Sequence, residues 1–240
     1  MVEVIKLFCF VFIVAISGCV NQVGESTESE KALLSIGDYN KLIDIYRDKL
    51  VRTDNREDRY KLSLYYNKAG DFHSSSYYLK QIINGSPNSK ECYLDAINLN
   101  ELNQYKETLK RLDCAVSVEP IVNDAYNLYG IVYAENGEYE LAKEYLNKAR
   151  EKFVNEVKVV NNLAMVAILE EDYSLAKSYL LPLLSRGVLD EKGLYNLAFS
   201  YVKLKDTKMA YKTLEFTSMD ADEITRAVSD MQFIKPRGHE

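Results

Sequence analysis

The feature that most constrains this chain is a pattern that returns every 34 residues. The segment Tyr126-Asn-Leu-Tyr-Gly130, with Tyr133, Gly137-Glu-Tyr139, Ala142-Lys143 and Ala149, reappears 34 residues on as Leu163-Ala164, Asp172-Tyr173 and Ala176-Lys177. A further 34 residues bring Leu197-Ala198, Tyr201, Asp206 and Ala210, and counting backward lands on Ala96, Tyr105, Ala115 and Pro120. A period of this size means that one small unit is stacked on copies of itself, because a single unit cannot bury its own apolar face. The chain is therefore expected to be a solenoid.

From Lys31 to about Ile224 the periodicity predicts continuous helix pairs. The breaks fall where each pair needs a turn: Gly37-Asp38-Tyr39, Gly70-Asp71-Phe72, Asn103-Gln104-Tyr105, Gly137-Glu138-Tyr139, Glu171-Asp172-Tyr173 and Lys205-Asp206-Thr207. Gly or Asn tolerates the positive φ of a helix C-terminus, and the polar residue after it can start the next helix. Pro87 and Pro120 close two repeats, and Pro182, inside a second helix, is expected to kink it. The repeats read as 23–55 (degenerate), 56–88, 89–122, 123–156, 157–190 and 191–224. Asp220-Ala-Asp-Glu223 predicts a capping box opening a final helix to about Met231.

These positions resemble the tetratricopeptide repeat. Its small eighth residue is Ser63, Ala96, Gly130, Ala164 and Ala198; its twentieth is Ser75, Thr108, Ala142, Ala176 and Ala210; its twenty-fourth is Leu79, Leu112, Leu146, Leu180 and Leu214. Small residues are needed where two helices cross closely. The resemblance implies an all-α fold: a right-handed superhelix, or α-solenoid, of about five to six helix pairs plus a C-terminal capping helix, spanning 31–232 with a loose tail at 233–240.

The N-terminus reads as a targeting segment. Lys6 precedes an apolar run from Leu7 to Ile16, too short for a stable span, which ends in Ile16-Ser17-Gly18-Cys19. This is similar to a bacterial lipobox, implying a lipoprotein signal peptide over 1–18 and a Cys19 carrying diacylglycerol and an N-acyl chain. An ordinary signal peptide with an accidental cysteine is the alternative. Val20 after the cysteine fits the sorting pattern for the outer membrane, so the expected location is its periplasmic face in a Gram-negative cell. Residues 19–30 are polar and aperiodic and are expected to be the lipidated cysteine and a flexible tether. Cys92 and Cys114 fall on the two helices of one repeat; a bridge is possible, and two partly buried thiols are the plainer expectation.

Composition excludes more than it assigns. Net charge is −6, against a nucleic-acid partner. His73 and His239 have no metal-ligand companion, and no phosphate loop or nucleophile motif is present. The carboxylates occupy solvent-facing helical spacings. Neither an enzyme, a small-molecule substrate nor a cofactor beyond the covalent lipid is expected.

The family resemblance implies a groove lined by the first helix of each pair. The ninth positions are Leu64, Ile97, Ile131, Met165 and Phe199, all apolar; the fifth are Tyr60, Tyr93, Asn127, Asn161 and Tyr195, with Val202 further along the last helix. This departs from family members that clamp a C-terminal carboxylate with Lys and Asn. An apolar groove edged by Tyr and Asn suits an amphipathic helix or an extended peptide, unless the ninth positions pack against neighbouring helices instead.

Between Val159 and Leu214 the chain resembles the TadD family of tight-adherence (Tad, or Flp) pilus lipoproteins, through Val160-Asn-Asn-Leu-Ala-Met-Val-Ala167, Ala176 with Leu180-Leu-Pro-Leu-Leu184, and Tyr195-Asn-Leu-Ala-Phe-Ser-Tyr201. That resemblance implies a pilotin-like protein-binding scaffold whose partner is the outer-membrane secretin or another Tad component. Scaffolding of outer-membrane protein insertion and activation of peptidoglycan synthesis are the alternative roles.

Overall fold

The turn inside each helix pair decides the architecture. The computed structural model describes residues 21–235; the signal segment 1–18, Cys19, His239 and the tail beyond Lys235 lie outside the described residues. Among the described residues thirteen helices follow one another: α1 (Asn21–Ile36), α2 (Tyr39–Arg52), α3 (Arg56–Lys68), α4 (Phe72–Ile83), α5 (Ser89–Glu101), α6 (Tyr105–Ser117) and α7 (Asp124–Glu135), then α8 (Tyr139–Glu151), α9 (Glu156–Leu169), α10 (Tyr173–Ser185), α11 (Glu191–Lys203), α12 (Thr207–Leu214) and α13 (Ala221–Phe233). Within every pair one residue takes a left-handed φ: Gly37, Gly70, Asn103, Gly137, Glu171 and Lys205. The N–H that follows reaches back across the turn, as Asp71 to Tyr66 O at 2.9 Å and Asp172 to Ala167 O at 2.8 Å, so the carbonyls at each helix end are satisfied. Asp38, Asp71, Asp172 and Asp206 then cap α2, α4, α10 and α12 through their side chains.

Packing follows from side-chain size. Ser63, Ala96, Ala164 and Ala198 on the first helices, and Ser75, Thr108, Ala142, Ala176 and Ala210 on the second, are fully buried at the crossings. Leu79, Leu112, Leu146, Leu180 and Leu214 fill the space beside them. At the α7–α8 crossing even a methyl group is too much: a Cβ on Gly130 would lie 2.4 Å from Leu146 Cγ. Each odd-numbered helix from α3 to α11 touches the next odd-numbered helix, whereas among the described residues no two even-numbered helices touch. The odd helices therefore form the closer, inner layer of a curved row, which is the physical basis of a groove on that side. The fold is a tetratricopeptide-repeat-like all-α solenoid.

Two expectations change. Helix α1 starts at Asn21, within the stretch read as a tether, and Glu30 is docked: it accepts from Tyr46 Oη at 2.7 Å and from Tyr65 Oη, beside Lys61 Nζ at 3.3 Å. Those partners come from α2 and α3, so no local pattern in the acidic stretch could reveal them. Cys92 and Cys114 are a disulfide rather than two thiols, their Cα atoms 5.8 Å apart at the α5–α6 crossing, a separation within the normal range for a bridge. Helix α10 runs on through Pro182 to Ser185. The α13 capping box forms as expected, Glu223 N–H to Asp220 at 2.8 Å and Asp220 N–H to Glu223 at 2.9 Å.

Candidate protein-binding groove

The apolar stripe does not behave uniformly along the row. In the N-terminal half it is taken up by packing. Tyr60 and Leu64 lie against Leu79, Ile82, Ile83 and Leu94. Tyr93 and Ile97 lie against the cluster that surrounds the disulfide. Burial pushes the Tyr60 phenol up and the Tyr93 phenol up to about 12, so both stay neutral and act as packed rings.

Two residues expected to face the groove do not. Val202 is buried in the last core cluster with Ile224 and Val228, because α13 covers that part of α11. Asn161 is also buried and points along the row: its Nδ2 donates to Asp190 Oδ1 at 2.6 Å. Its Oδ1 meets no hydrogen-bond donor and rests against Gly193, where an added Cβ would fall 2.5 Å away. Asn127 accepts from Asn162 Nδ2 at 2.9 Å, linking α7 to α9.

The C-terminal half keeps an open concavity. Met165, Tyr195 and Phe199 come together with Ile168, Leu169 and Asn196, and with Met231, Ile234 and Lys235 at the end of α13, around a hollow of about 500 Å³. A second hollow of about 120 Å³ adjoins it, lined by Gly130, Ile131 and Asn162 and sharing Met165 and Leu169. One apolar channel thus crosses the inner faces of α7, α9 and α11 and ends against α13. Met165 lines both hollows and is 40% exposed; its unbranched side chain adapts its shape to what it touches.

The wall at α13 is fastened by one ammonium group. Lys203 Nζ sits 5.1 Å from the centre of the Phe199 ring and donates to Gln232 O at 3.2 Å and Ile234 O at 2.5 Å. α13 has no basic residue in its last turn, so α11 supplies the cation that its terminal carbonyls attract. Tyr173 holds the Phe199 ring edge-on at 6.1 Å, and Tyr195 Oη reaches Met219 Sδ at 3.0 Å. Sequence reasoning missed this wall. The spacing of Ile224, Val228 and Met231 signals a cap, but not that the chain beyond it turns along the groove.

Among the described residues no group of three or more His, Cys, Asp and Glu is arranged to hold a metal, and no helix is long and apolar enough to cross a membrane. What the channel offers is apolar surface, a few amide and phenol groups at its edge, and a cation at one end. That composition fits a peptide or helix surface.

Residues 124–149, the α7–α8 pair, match the tetratricopeptide repeat family. No curated protein matches the chain in sequence. Solved structures match its shape. A tetratricopeptide repeat protein from Parabacteroides merdae is 13% identical with a TM-score of 0.69, over 88% of this chain and 85% of that one. PilF of Pseudomonas aeruginosa is 17% identical with a TM-score of 0.66, over 85% and 95%. PilW, described as a widely conserved type IV pilus biogenesis factor, is 16% identical with a TM-score of 0.60, over 73% and 87%. In the Cut9–Hcn1 hetero-tetramer of the APC/C the matching chain is longer, and this chain spans 41% of it. Identities this low show a shared fold.

Proposed function

We propose that this chain is a protein-binding scaffold of type IV pilus assembly, of the Tad (Flp) kind, held at the periplasmic face of the outer membrane by acyl chains on Cys19. In this reading it is pilotin-like: it captures a segment of the secretin, or of another pilus component, and helps that partner localise or assemble. The observation that carries it is the apolar channel across α7, α9 and α11 in a solenoid whose shape is shared with PilW and PilF. Three acyl chains attach a protein firmly where one holds only marginally, and tethering raises the local concentration of scaffold near a membrane partner. The chain's own residues bind and position; no bond is made or broken.

The test is affinity capture from gently solubilised membranes, comparing the native chain with Met165→Glu. The native chain should retain the secretin, and Met165→Glu should lose it while helical content by circular dichroism stays the same. Cys19→Ser should leave the fold intact and release the protein from the membrane fraction, with loss of piliation. Equal secretin capture by Met165→Glu removes the channel from the account, and normal piliation in a Cys19→Ser strain removes the anchor.

A further inference from the structure

Six turns join each helix pair to the next helix, after α2, α4, α6, α8, α10 and α12. The pairs are antiparallel and stacked in one sense, so these turns all lie along the same edge of the solenoid. At five of them, in the turn or in the last helical residues before it, an apolar side chain is held out to solvent: Val51, Ile121, Phe153, Val188 and Phe216, with Phe153 95% exposed, Val51 87% and Phe216 71%. The opposite edge differs. Its six turns are built from Gly, Asn, Glu or Lys followed by Asp, Gln or Glu, and its exposed apolar residues are Leu34 and Ile36 at one end of the row, Leu204, Phe233 and Ile234 at the other, and Leu141 between them, none of them at a left-handed backbone position.

Phe153 shows that the exposure is not incidental. It has a φ of 58°, and the residue 34 positions on, in the matching turn after α10, is Gly187 with a φ of 67°. Both close their helix with the same pair of bonds, Phe153 N–H to Arg150 O and Val154 N–H to Ala149 O, against Gly187 N–H to Leu184 O and Val188 N–H to Leu183 O. The turn needs a left-handed residue and is made at no steric cost by glycine. A bulky aromatic there, touching almost nothing, is a backbone outlier that the fold itself does not require.

Every odd-numbered helix starts on this same edge, so α1 starts there, at Asn21, two positions after Cys19 in the sequence. We propose that the edge of the inter-pair turns is a lipid-contacting rim, with Phe153 and Phe216 inserting among acyl chains at the membrane surface and the apolar channel left open to the aqueous side. The proposal rests on the acylation of Cys19 in the functional reading. The net charge of −6 makes electrostatic attraction to anionic lipid the wrong mechanism, so contact should come from apolar insertion and change little with salt.

The chain contains no tryptophan, which makes the test direct. Full chain carrying Phe153→Trp is reconstituted into protein-free vesicles of phosphatidylethanolamine and phosphatidylglycerol, with Leu204→Trp on the opposite edge as the comparison. The indole of Phe153→Trp should shift its emission to the blue and lose most of it to lipids brominated on their acyl chains, at low and high salt alike, while that of Leu204→Trp does neither. Solvent-like emission from Phe153→Trp in those vesicles, or a blue shift seen only when other membrane proteins are present, overturns the rim; the latter result would make the edge a protein contact. Phe153→Gly should fold at least as well as the native chain and, scored with a single Phe216→Trp reporter, reduce lipid quenching. Undiminished quenching also overturns the proposal. The mass of the N-terminal peptide separates the two ideas: an unmodified Cys19 with a lipid-quenched indole in Phe153→Trp sinks the anchor and keeps the rim, and an acylated Cys19 with a solvent-exposed indole does the reverse.

Discussion

One carboxylate oxygen joins two repeats: Asp190 Oδ1 accepts Asn161 Nδ2 at 2.6 Å and the Gly193 backbone N–H at 2.9 Å. It caps α11 while pinning a buried amide of α9. Removing it exposes a helix N-terminus and strands the Asn161 amide in the core. Asp190→Ala should therefore lower stability by about 2–3 kcal/mol, the sum of a lost cap and an unsatisfied buried donor. The urea midpoint measures this, and an unchanged midpoint would show that the amide has found another partner.

Gly130 should not accept a side chain. The clash with Leu146 involves a fully buried residue packed by both helices of its repeat. Gly130→Ala is expected to destabilise by about 1–3 kcal/mol despite the better helix propensity of alanine. A thermal melt that rises would mean Leu146 can move aside. The same substitution narrows the smaller hollow beside Met165, so partner capture should fall as well.

Lys205 holds a φ of 64° in a turn where Gly70 and Gly137 do the same work with no Cβ. Lys205 is exposed. Lys205→Gly should stabilise the last repeat by about 1 kcal/mol, because relief of the left-handed strain outweighs the entropy that glycine adds to the unfolded chain. Denaturant unfolding reads the change directly, and a loss of stability would show that the lysine side chain makes a contact outweighing its strain.

Acid should undock α1. Burial opposes ionisation of Glu30, but hydrogen bonds from Tyr65 and Tyr46 and the Lys61 ammonium outweigh it and hold the carboxyl below its ordinary value of 4.5. A depressed carboxylate stabilises the folded form at pH values above the unfolded value, and that contribution disappears as pH falls through the folded one. The protection of amides in residues 28–36, taken relative to the intrinsic exchange rate at each pH, should be high at neutral pH and fall below about pH 4. Glu30→Gln should exchange faster at neutral pH and lose that acid dependence. Identical profiles for the two proteins would rule Glu30 out as the latch.

Lys203 can be tested separately from the groove it borders. Lys203→Met keeps the aliphatic stem near Phe199 and removes the three donors that hold Gln232 and Ile234. Two charge-assisted bonds at an exposed site are worth about 1–2 kcal/mol after solvent competition. The last turn of α13 should fray, seen as faster amide exchange at 231–235, with the thermal midpoint nearly unchanged. Retained protection would show that Met231 alone fastens the helix.

What the sequence determined is the local grammar. Helix lengths, the six left-handed turns, the small residues at each crossing and the Asp220–Glu223 cap follow from spacing and residue size, because each is fixed by contacts within one helix pair. Even Glu171 and Lys205 could be placed at left-handed turns from the repeat, although their chemistry argues against it. The tertiary structure alone decided the fate of side chains that meet across repeats. Equivalent positions carry Asn127 and Asn161, yet the first accepts from Asn162 at the inner side and the second is buried against Asp190. Ile97 and Met165 are equivalent too, and only Met165 lines an open channel. Val202 and Phe199 are neighbours on one helix, but α13 buries the first and stops beside the second. A 34-residue period repeats positions, not surroundings. Burial depends on which side chains the adjoining helices bring to the contact, and those come from different points of the chain.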